Sequence, residues 1–344
     1  MDVFFIGNSN LSNGPAVVNK NLKKNFPETQ IVTYIERRNL FLKFVEITKK
    51  VLKTNVVVIS GLSFSGLIAL FISRISKKKS IYLMHGYLNY EERINRTNDK
   101  MISEIKKLTE SYILKNTTKI LCVSENFMNW FRETRPTYKK KTMFLNNGIE
   151  WGEYKSVNHT HRKIKQEEKT IISIGGGRPQ KNIIDICTSI EYINKKYKKN
   201  YRLKVIGEEG DDSHKIKQYS FVDYLGQIKH QDVLSELRKS DLFIQNSTFE
   251  PFGVAPIEAL LCGCDILISK NVGSLSLIGE IGSKDIIYNP NNNNEIIQKI
   301  LEFEFYSNNQ KLINSIDREK TTYKSMANKL INYSFELTNN SFIN

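Results

Sequence analysis

Short apolar runs alternate with longer stretches of helical periodicity along the whole chain. In the first half, Val3–Ile6, Ile31–Ile35, Val56–Ser60, Ile81–Met84, Lys119–Val123 and Thr142–Leu145 read as buried strands. The second half repeats the pattern at Thr170–Ile174, Arg202–Ile206, Phe221–Leu225, Asp241–Ile244, Asp265–Ser269 and Asp285–Tyr288. Between them, apolar residues recur at helical spacing, as in Ala16–Phe26 and Leu40–Leu52. Strands divided by helices predict parallel βαβ units, and two such sets predict two doubly wound α/β domains. The polar, charged run Val157–Lys169 is the predicted linker, separating residues 1–160 from residues 166–320.

Nearly every residue with candidate chemistry falls just past one of these strands. Gly7 to Gly14 follow the first, His85 and Gly86 the fourth, and Ser124 and Glu125 the fifth, with Asn147 and Gly148 after the sixth. Gly175 to Lys181, Gly207 to Gly210 and Glu250 occupy the same place in the second half. Open α/β sheets bind ligands at the carboxyl ends of their strands. The first Gly turn is not a dinucleotide fingerprint, and Glu36 is followed by Arg37 and Arg38, which argues against NAD. Gly14, opening a helix before Pro15, would let backbone approach a phosphate. Gly175–Gly177 with Arg178 and Lys181 is the better phosphate candidate, joining flexible backbone to a planar fork and a point charge. The plainer alternative is a tight strand–helix turn with surface cations.

The segment from Glu250 to Gly263 is the most informative. A strand ends near Ser247, Glu250 lies on the loop, Pro256 suits a first helical turn and Gly263 a helix end. A helix start offers free N–H groups and positive potential to an anion. Glu250 and Glu258 bracket it as acceptor-only groups suited to hydroxyls. Alone, the pair reads equally as a carboxylate on a helix dipole beside an unrelated surface Glu.

The full string E-P-F-G-x-x-P-x-E-A-L-x-x-G after a strand resembles the signature of the large retaining glycosyltransferase family of GT-B fold, which contains many bacterial polysaccharide and glycolipid enzymes. The resemblance covers about residues 1–330 and is strongest over 170–278. It implies two Rossmann-like domains facing each other across a cleft, with a last helix in 321–344 packing back toward the first. It implies that Lys181 grips the diphosphate of a nucleotide sugar. Arg178 stands three residues before Lys181, and Gly176 takes the register five before, where such enzymes usually carry their arginine. By the same resemblance Glu258 holds the ribose, and Glu250 with the backbone of Phe252, Gly253 and Val254 holds the donor sugar. His85 approaches that sugar near its primary hydroxyl, Gly14 lies against the diphosphate and the main chain at Ile228 against the base. Glu250 and His85 are thus the catalytic positions expected. The implied donor is a UDP-sugar and the implied acceptor a glycan or lipid-linked glycan. No cofactor or metal is expected, because a DxD pair is missing from the right context and Asp211 and Asp212 read as a surface loop. A front-side substitution, with the leaving phosphate taking the acceptor's proton, is favoured over a Glu250 nucleophile.

The 344 residues suit two domains, and 40% apolar with 25% charged content is ordinary for a globular enzyme. No run approaches the roughly 20 apolar residues of a membrane span, and Leu62–Ile72, holding Ser63, Ser65 and Gly66, reads as a buried helix. The opening strand lacks a basic leader, so a cytoplasmic location is expected. Cys122 and Cys187 read as core thiols, while Cys262 and Cys264 lack a second pair that would suggest zinc. Charge is lopsided: residues 1–165 carry 29 Lys and Arg against 13 Asp and Glu, and residues 166–344 carry 22 against 23. Basic clusters such as Lys77–Lys79 and Lys139–Lys141 are either a solvated surface or a means of holding an anionic membrane, with helix Leu40–Leu52 adding an apolar face. A basic nucleic-acid-binding protein is the rival reading, disfavoured because no known module is present and aromatics do not interleave the lysines. A nucleotide-sugar epimerase of the same fold would lack the E-P-F-G string.

Overall fold

The fold was obtained as a computed structural model that describes residues 1–9, 13–29, 31–35, 39–95, 100–153 and 168–339. Glu36, Arg37 and Arg38, part of the first Gly turn, and residues 157–167 of the expected linker lie outside the described residues. Two compact units emerge, one of residues 1–150 with 318–344 and one of residues 151–317.

Unit 1 runs β1 (Asp2–Gly7), α1 (Gly14–Asn25), β2 (Ile31–Thr33), α2 (Leu40–Lys53), β3 (Val56–Ser60), α3 (Phe64–Ile75), β4 (Lys79–Met84), α4 (Leu88–Ile94), α5 (Lys100–Asn116), β5 (Lys119–Cys122), α6 (Glu125–Thr134) and β6 (Thr142–Phe144). Its sheet is parallel in the order β2-β1-β3-β4-β5-β6. Every residue of β3 is buried, as a strand covered on both faces requires, which is why its sequence is a continuous Val-Ile run rather than an alternation. β2 is shorter than its apolar run suggests, pairing with β1 only over Ile31–Thr33.

One helix departs from expectation, and a second settles an open alternative. The Leu62–Ile72 run reads as a buried helix, yet α3 buries only Gly66, Ala69, Leu70 and Ser73, while Phe64, Phe71 and Ile75 face outward. Small residues form its inner face, so its large apolar residues fall on the outer one. α2 likewise buries Ile47 and Val51 and exposes Leu40, Phe41, Leu42, Phe44 and Leu52.

Unit 2 runs β7 (Glu168–Ile174), α7 (Ile183–Tyr197), β8 (Asn200–Ile206), α8 (Ser213–Ile216), β9 (Val222–Gly226), α9 (His230–Arg238), β10 (Leu242–Gln245), α10 (Ala255–Cys262), β11 (Asp265–Ser269), β12 (Ile286–Ile287), α11 (Asn293–Glu302) and α12 (Asn309–Asn314). Its parallel order is β12-β11-β10-β7-β8-β9, the dinucleotide-fold order, and the order in which strands are added reverses between β7 and β10. Ile171, Ile186, Ile190, Leu203, Val205 and Ile244 form the centre of its core. The last helix, α13 (Tyr323–Asn339), belongs to unit 1: Ile149 bridges Thr322, Tyr333 donates to the Phe144 carbonyl and the helix packs on α1.

A buried polar clamp closes the far edge of unit 2. Asn308 is fully buried and donates to the Ile266 carbonyl (2.8 Å) and the Asp285 carboxylate (2.7 Å), while its own oxygen accepts from Ile266 N–H (3.0 Å). Asn308→Ala would strand all three groups. The expected loss is about 3 kcal/mol, the upper range for unpaired buried polar groups, read as an earlier urea transition of unit 2.

Candidate functional site

The crevice where β7 and β10 diverge collects the chemistry of unit 2. Lys181 follows β7 and Glu250 follows β10, and their side chains form an ion pair while only 10% and 14% exposed. Gln245, at the end of β10, donates to the same Glu250 oxygen (3.1 Å). Gly175 lies beneath the lysine stem, where an added Cβ would sit 2.4 Å from Lys181 Cγ. The Glu250 loop is clamped from below: Glu250 N–H bonds the Asn271 carbonyl, Gly273 N–H the Glu250 carbonyl and Ser274 N–H the Phe252 carbonyl.

Beyond that loop α10 begins. Phe252 is buried, Gly253 takes φ +75°, Val254 is exposed, and the N–H groups of Gly253, Val254 and Ala255 have no acceptor among the described residues. Glu258 stands in the first turn, 12% exposed, with Oε1 2.9 Å from His230 Nε2. Ile228 lies just before α9 and lines a hollow with Tyr224, Leu225 and Asp232. Arg178 is exposed and, among the described residues, its guanidinium reaches only the Gly175 carbonyl, at 3.3 Å.

The glycine turn itself is not an open phosphate cradle. The N–H groups of Gly175 and Gly176 both bond the Ile206 carbonyl, and that of Gly177 bonds the Glu208 carbonyl. Two loops are pressed together here, so any anion is left to the side chains of Lys181 and Arg178 and to the start of α10.

In unit 1, His85 follows β4 with its Nε2 2.8 Å from Ser60 Oγ. The loop after it is held by buried Glu110, whose carboxylate accepts from Leu88 N–H (2.9 Å) and Asn89 N–H (3.2 Å). Burial pulls the His85 pKa down to about 4 from 6.5, so the ring is neutral near pH 7. The sign follows: the unfolded chain takes up the proton first, so this residue's contribution to stability is full above pH 6.5 and fades as pH falls from 6.5 toward 4. Gly14 opens α1 behind Asn13, whose side chain accepts from Ala16 N–H (3.1 Å). Among the described residues no group of three or more His, Cys, Asp or Glu side chains is arranged to hold a metal ion.

Sequence reasoning missed three side chains here: Gln245, His230 and Ser60. Gln245 and Ser60 end strands beside Glu250 and His85 and so carried a positional signal. His230 lies 28 residues before Glu258, and no spacing rule connects them.

Residues 155–319 match the family described as glycosyl transferases group 1. Residues 155–319, just under half of the chain, therefore carry a group 1 glycosyltransferase domain. A capsular polysaccharide biosynthesis glycosyltransferase, CapH of Staphylococcus aureus, is 27% identical over 254 residues, 72% of this chain and 67% of that protein. An uncharacterized glycosyltransferase of Methanocaldococcus jannaschii is 26% identical over 219 residues, so the alignment spans 61% of this chain but only 54% of that relative. In fold, the chain is similar to HepE of Anabaena, solved with UDP and glucose, at a TM-score of 0.67 and 15% identity over 97% of this chain and 99% of HepE. Its two Rossmann-like units are those of the GT-B fold.

The pressed loops give a direct test of the site's architecture. Gly176 has φ +60°, and a Cβ there would lie 2.0 Å from the Glu208 carbonyl oxygen, whereas one at Gly14 would meet nothing within 4 Å. Gly176→Ala should destabilise unit 2 by about 2 kcal/mol and Gly14→Ala should leave the melting temperature nearly unchanged, as read by calorimetry on both variants.

Proposed function

We propose that the protein transfers a hexosyl group from a nucleotide sugar, UDP-linked, to a glycan or lipid-linked glycan acceptor in cell-surface polysaccharide synthesis. The carrying observation is the Lys181–Glu250 pair in the switch-point crevice of unit 2, set beside the free N–H groups that open α10. HepE with UDP and glucose and the name of CapH support the donor and pathway class. In this reading Lys181 leaves Glu250 for the donor diphosphate, joined by Arg178. Glu250, released, accepts hydroxyls of the sugar together with the backbone of Phe252, Gly253 and Val254. Glu258 accepts the ribose hydroxyls, and the main chain at Ile228 meets the base. His85 meets the sugar as a neutral imidazole.

The reaction proposed retains the anomeric configuration by front-side substitution. The bond from the anomeric carbon to the phosphate oxygen breaks, the acceptor oxygen bonds the same face, and the acceptor's proton passes to the departing phosphate. Cations and oriented N–H groups stabilise that leaving charge electrostatically, so no metal ion is required. A thermal-shift panel of nucleotide sugars identifies the donor, because a ligand bound only by the folded state raises stability. Lys181→Ala and Glu258→Ala should each weaken the selected donor by roughly ten- to a hundredfold, the scale of one charge-assisted contact. EDTA should leave binding and transfer intact. Unchanged affinity in both variants, or activity that only Mg²⁺ or Mn²⁺ restores, contradicts the assignment.

The acceptor side is proposed to work at an anionic membrane surface, with the protein peripheral on its cytoplasmic face. Unit 1 holds 29 Lys and Arg against 14 Asp and Glu, while unit 2 holds 22 of each. α2 packs on α3 and α3 on α5, and their outer faces expose Phe41, Phe44, Phe64, Phe71, Ile105 and Leu108. Lys43, Lys49, Lys77 and Lys78 flank these residues in sequence, whereas the ammonium of Lys141 is engaged by the Lys115 and Thr117 carbonyls. Lysines near such a surface contribute about 1 kcal/mol each. Neutralising Lys77 and Lys78 should therefore reduce partitioning onto anionic vesicles roughly thirtyfold at low salt. Equal binding to neutral and anionic vesicles in a sedimentation assay would rule the surface out.

A further inference from the structure

Behind His85 lies a polar relay that the roles above leave unused. Asn19 on α1 and Ser60 at the end of β3 are 1% and 3% exposed. Asn19 Nδ2 donates to the Asn8 carbonyl (2.8 Å), Ser60 Oγ lies 2.5 Å from Asn19 Oδ1, and His85 Nε2 lies 2.8 Å from Ser60 Oγ. The proton positions follow from what each atom can do. A reversed Asn19 amide would set its oxygen against the Asn8 carbonyl, so the amide orientation is fixed from that end. Its Oδ1 can only accept, so the single proton of the Ser60 hydroxyl points at it. Toward the imidazole, Ser60 Oγ then has only lone pairs to offer, and His85 Nε2 must carry the hydrogen.

We propose that Asn19 and Ser60 are positioning residues that lock His85 in its Nε2–H tautomer and thereby present a bare Nδ1 as hydrogen-bond acceptor to a hydroxyl of the transferred sugar. The last step rests on the glycosyl-transfer reading; the tautomer does not. His85 Nδ1 has no partner among the described residues, and the low pKa of the ring keeps it unprotonated near neutrality. An acceptor nitrogen takes a hydrogen bond from a sugar hydroxyl and gains nothing from a deoxy position. That distinction is one hydrogen-bonding sites enforce strongly, since the mismatched partner leaves a buried polar atom unpaired.

The test is ¹⁵N NMR of the full chain labelled at its five histidines, with His85 assigned by its loss in His85→Gln. The expected spectrum at pH 7 shows His85 with a proton-bearing Nε2 and a bare Nδ1, and no titration of this ring down to about pH 5, one unit above its lowered pKa. Ser60→Ala should release the lock and move both ring shifts toward a tautomer mixture, with the other histidine signals unchanged as a check of folding. Ser60→Thr, which keeps the hydroxyl, should restore the wild-type pattern. With the donor chosen by the binding panel, Ser60→Ala should lower kcat about tenfold, the scale of one hydrogen bond, with donor KM little changed. A proton on Nδ1 in the native protein, or a Ser60→Ala spectrum identical to wild type, overturns the relay. A locked tautomer whose release leaves kcat unchanged overturns its role toward the sugar, and a panel without any binder overturns the glycosyl-transfer reading while the tautomer stands or falls on the spectrum.

Discussion

The ion pair between Lys181 and Glu250 depends on one geometric constraint: in a parallel sheet whose order reverses between β7 and β10, the two following loops part and leave a crevice. Everything around the pair serves that crevice. Gly175 lets the lysine stem cross it, Gln245 steadies the carboxylate, and the strap from Asn271 to Ser274 holds the Glu250 loop from below. A largely buried pair of this kind adds little net stability, since desolvating two charges offsets their attraction. What it does is keep a cation and an acceptor-only group satisfied inside a low-dielectric crevice.

Unit 1 is built on the same principle with a different outcome. Among the described residues its strand ends carry, in place of an ion pair, a neutral chain from Asn8 through Asn19 and Ser60 to His85. Burial keeps that imidazole uncharged, so its environment sets which nitrogen holds the proton rather than whether the ring is ionised. The surplus charge of this unit lies elsewhere, on its helices and loops, and so does its outward apolar surface. The polar interior and the basic, partly apolar exterior are therefore separate features of one domain.

Much of this was legible in the chain. The continuous apolar runs gave the twelve strands of the described residues to within a few residues, because strands buried on both faces leave no room for alternation. The segment from Glu250 to Glu258 was readable because strand end, Pro256 at the helix start and Gly263 at its end are local signals. The exposure of α2 and α3 was not legible. An apolar stripe has the same periodicity whether it faces a core or water, and only the small inner face of α3 and the edge position of β2 decide which.

The sequence by itself determined the two α/β halves, their strand positions, the basic first half and the residues standing at strand ends, since each of these follows from local periodicity and composition. Tertiary structure alone decided that Lys181 meets Glu250, that Glu258 meets His230 and that Ser60 links Asn19 to His85. It also decided that the N–H groups of Gly175–Gly177 are consumed by the neighbouring loop rather than offered to a ligand. The reason is range: these contacts join residues 25 to 69 positions apart, and such pairings are fixed by sheet order and register, which no local pattern encodes.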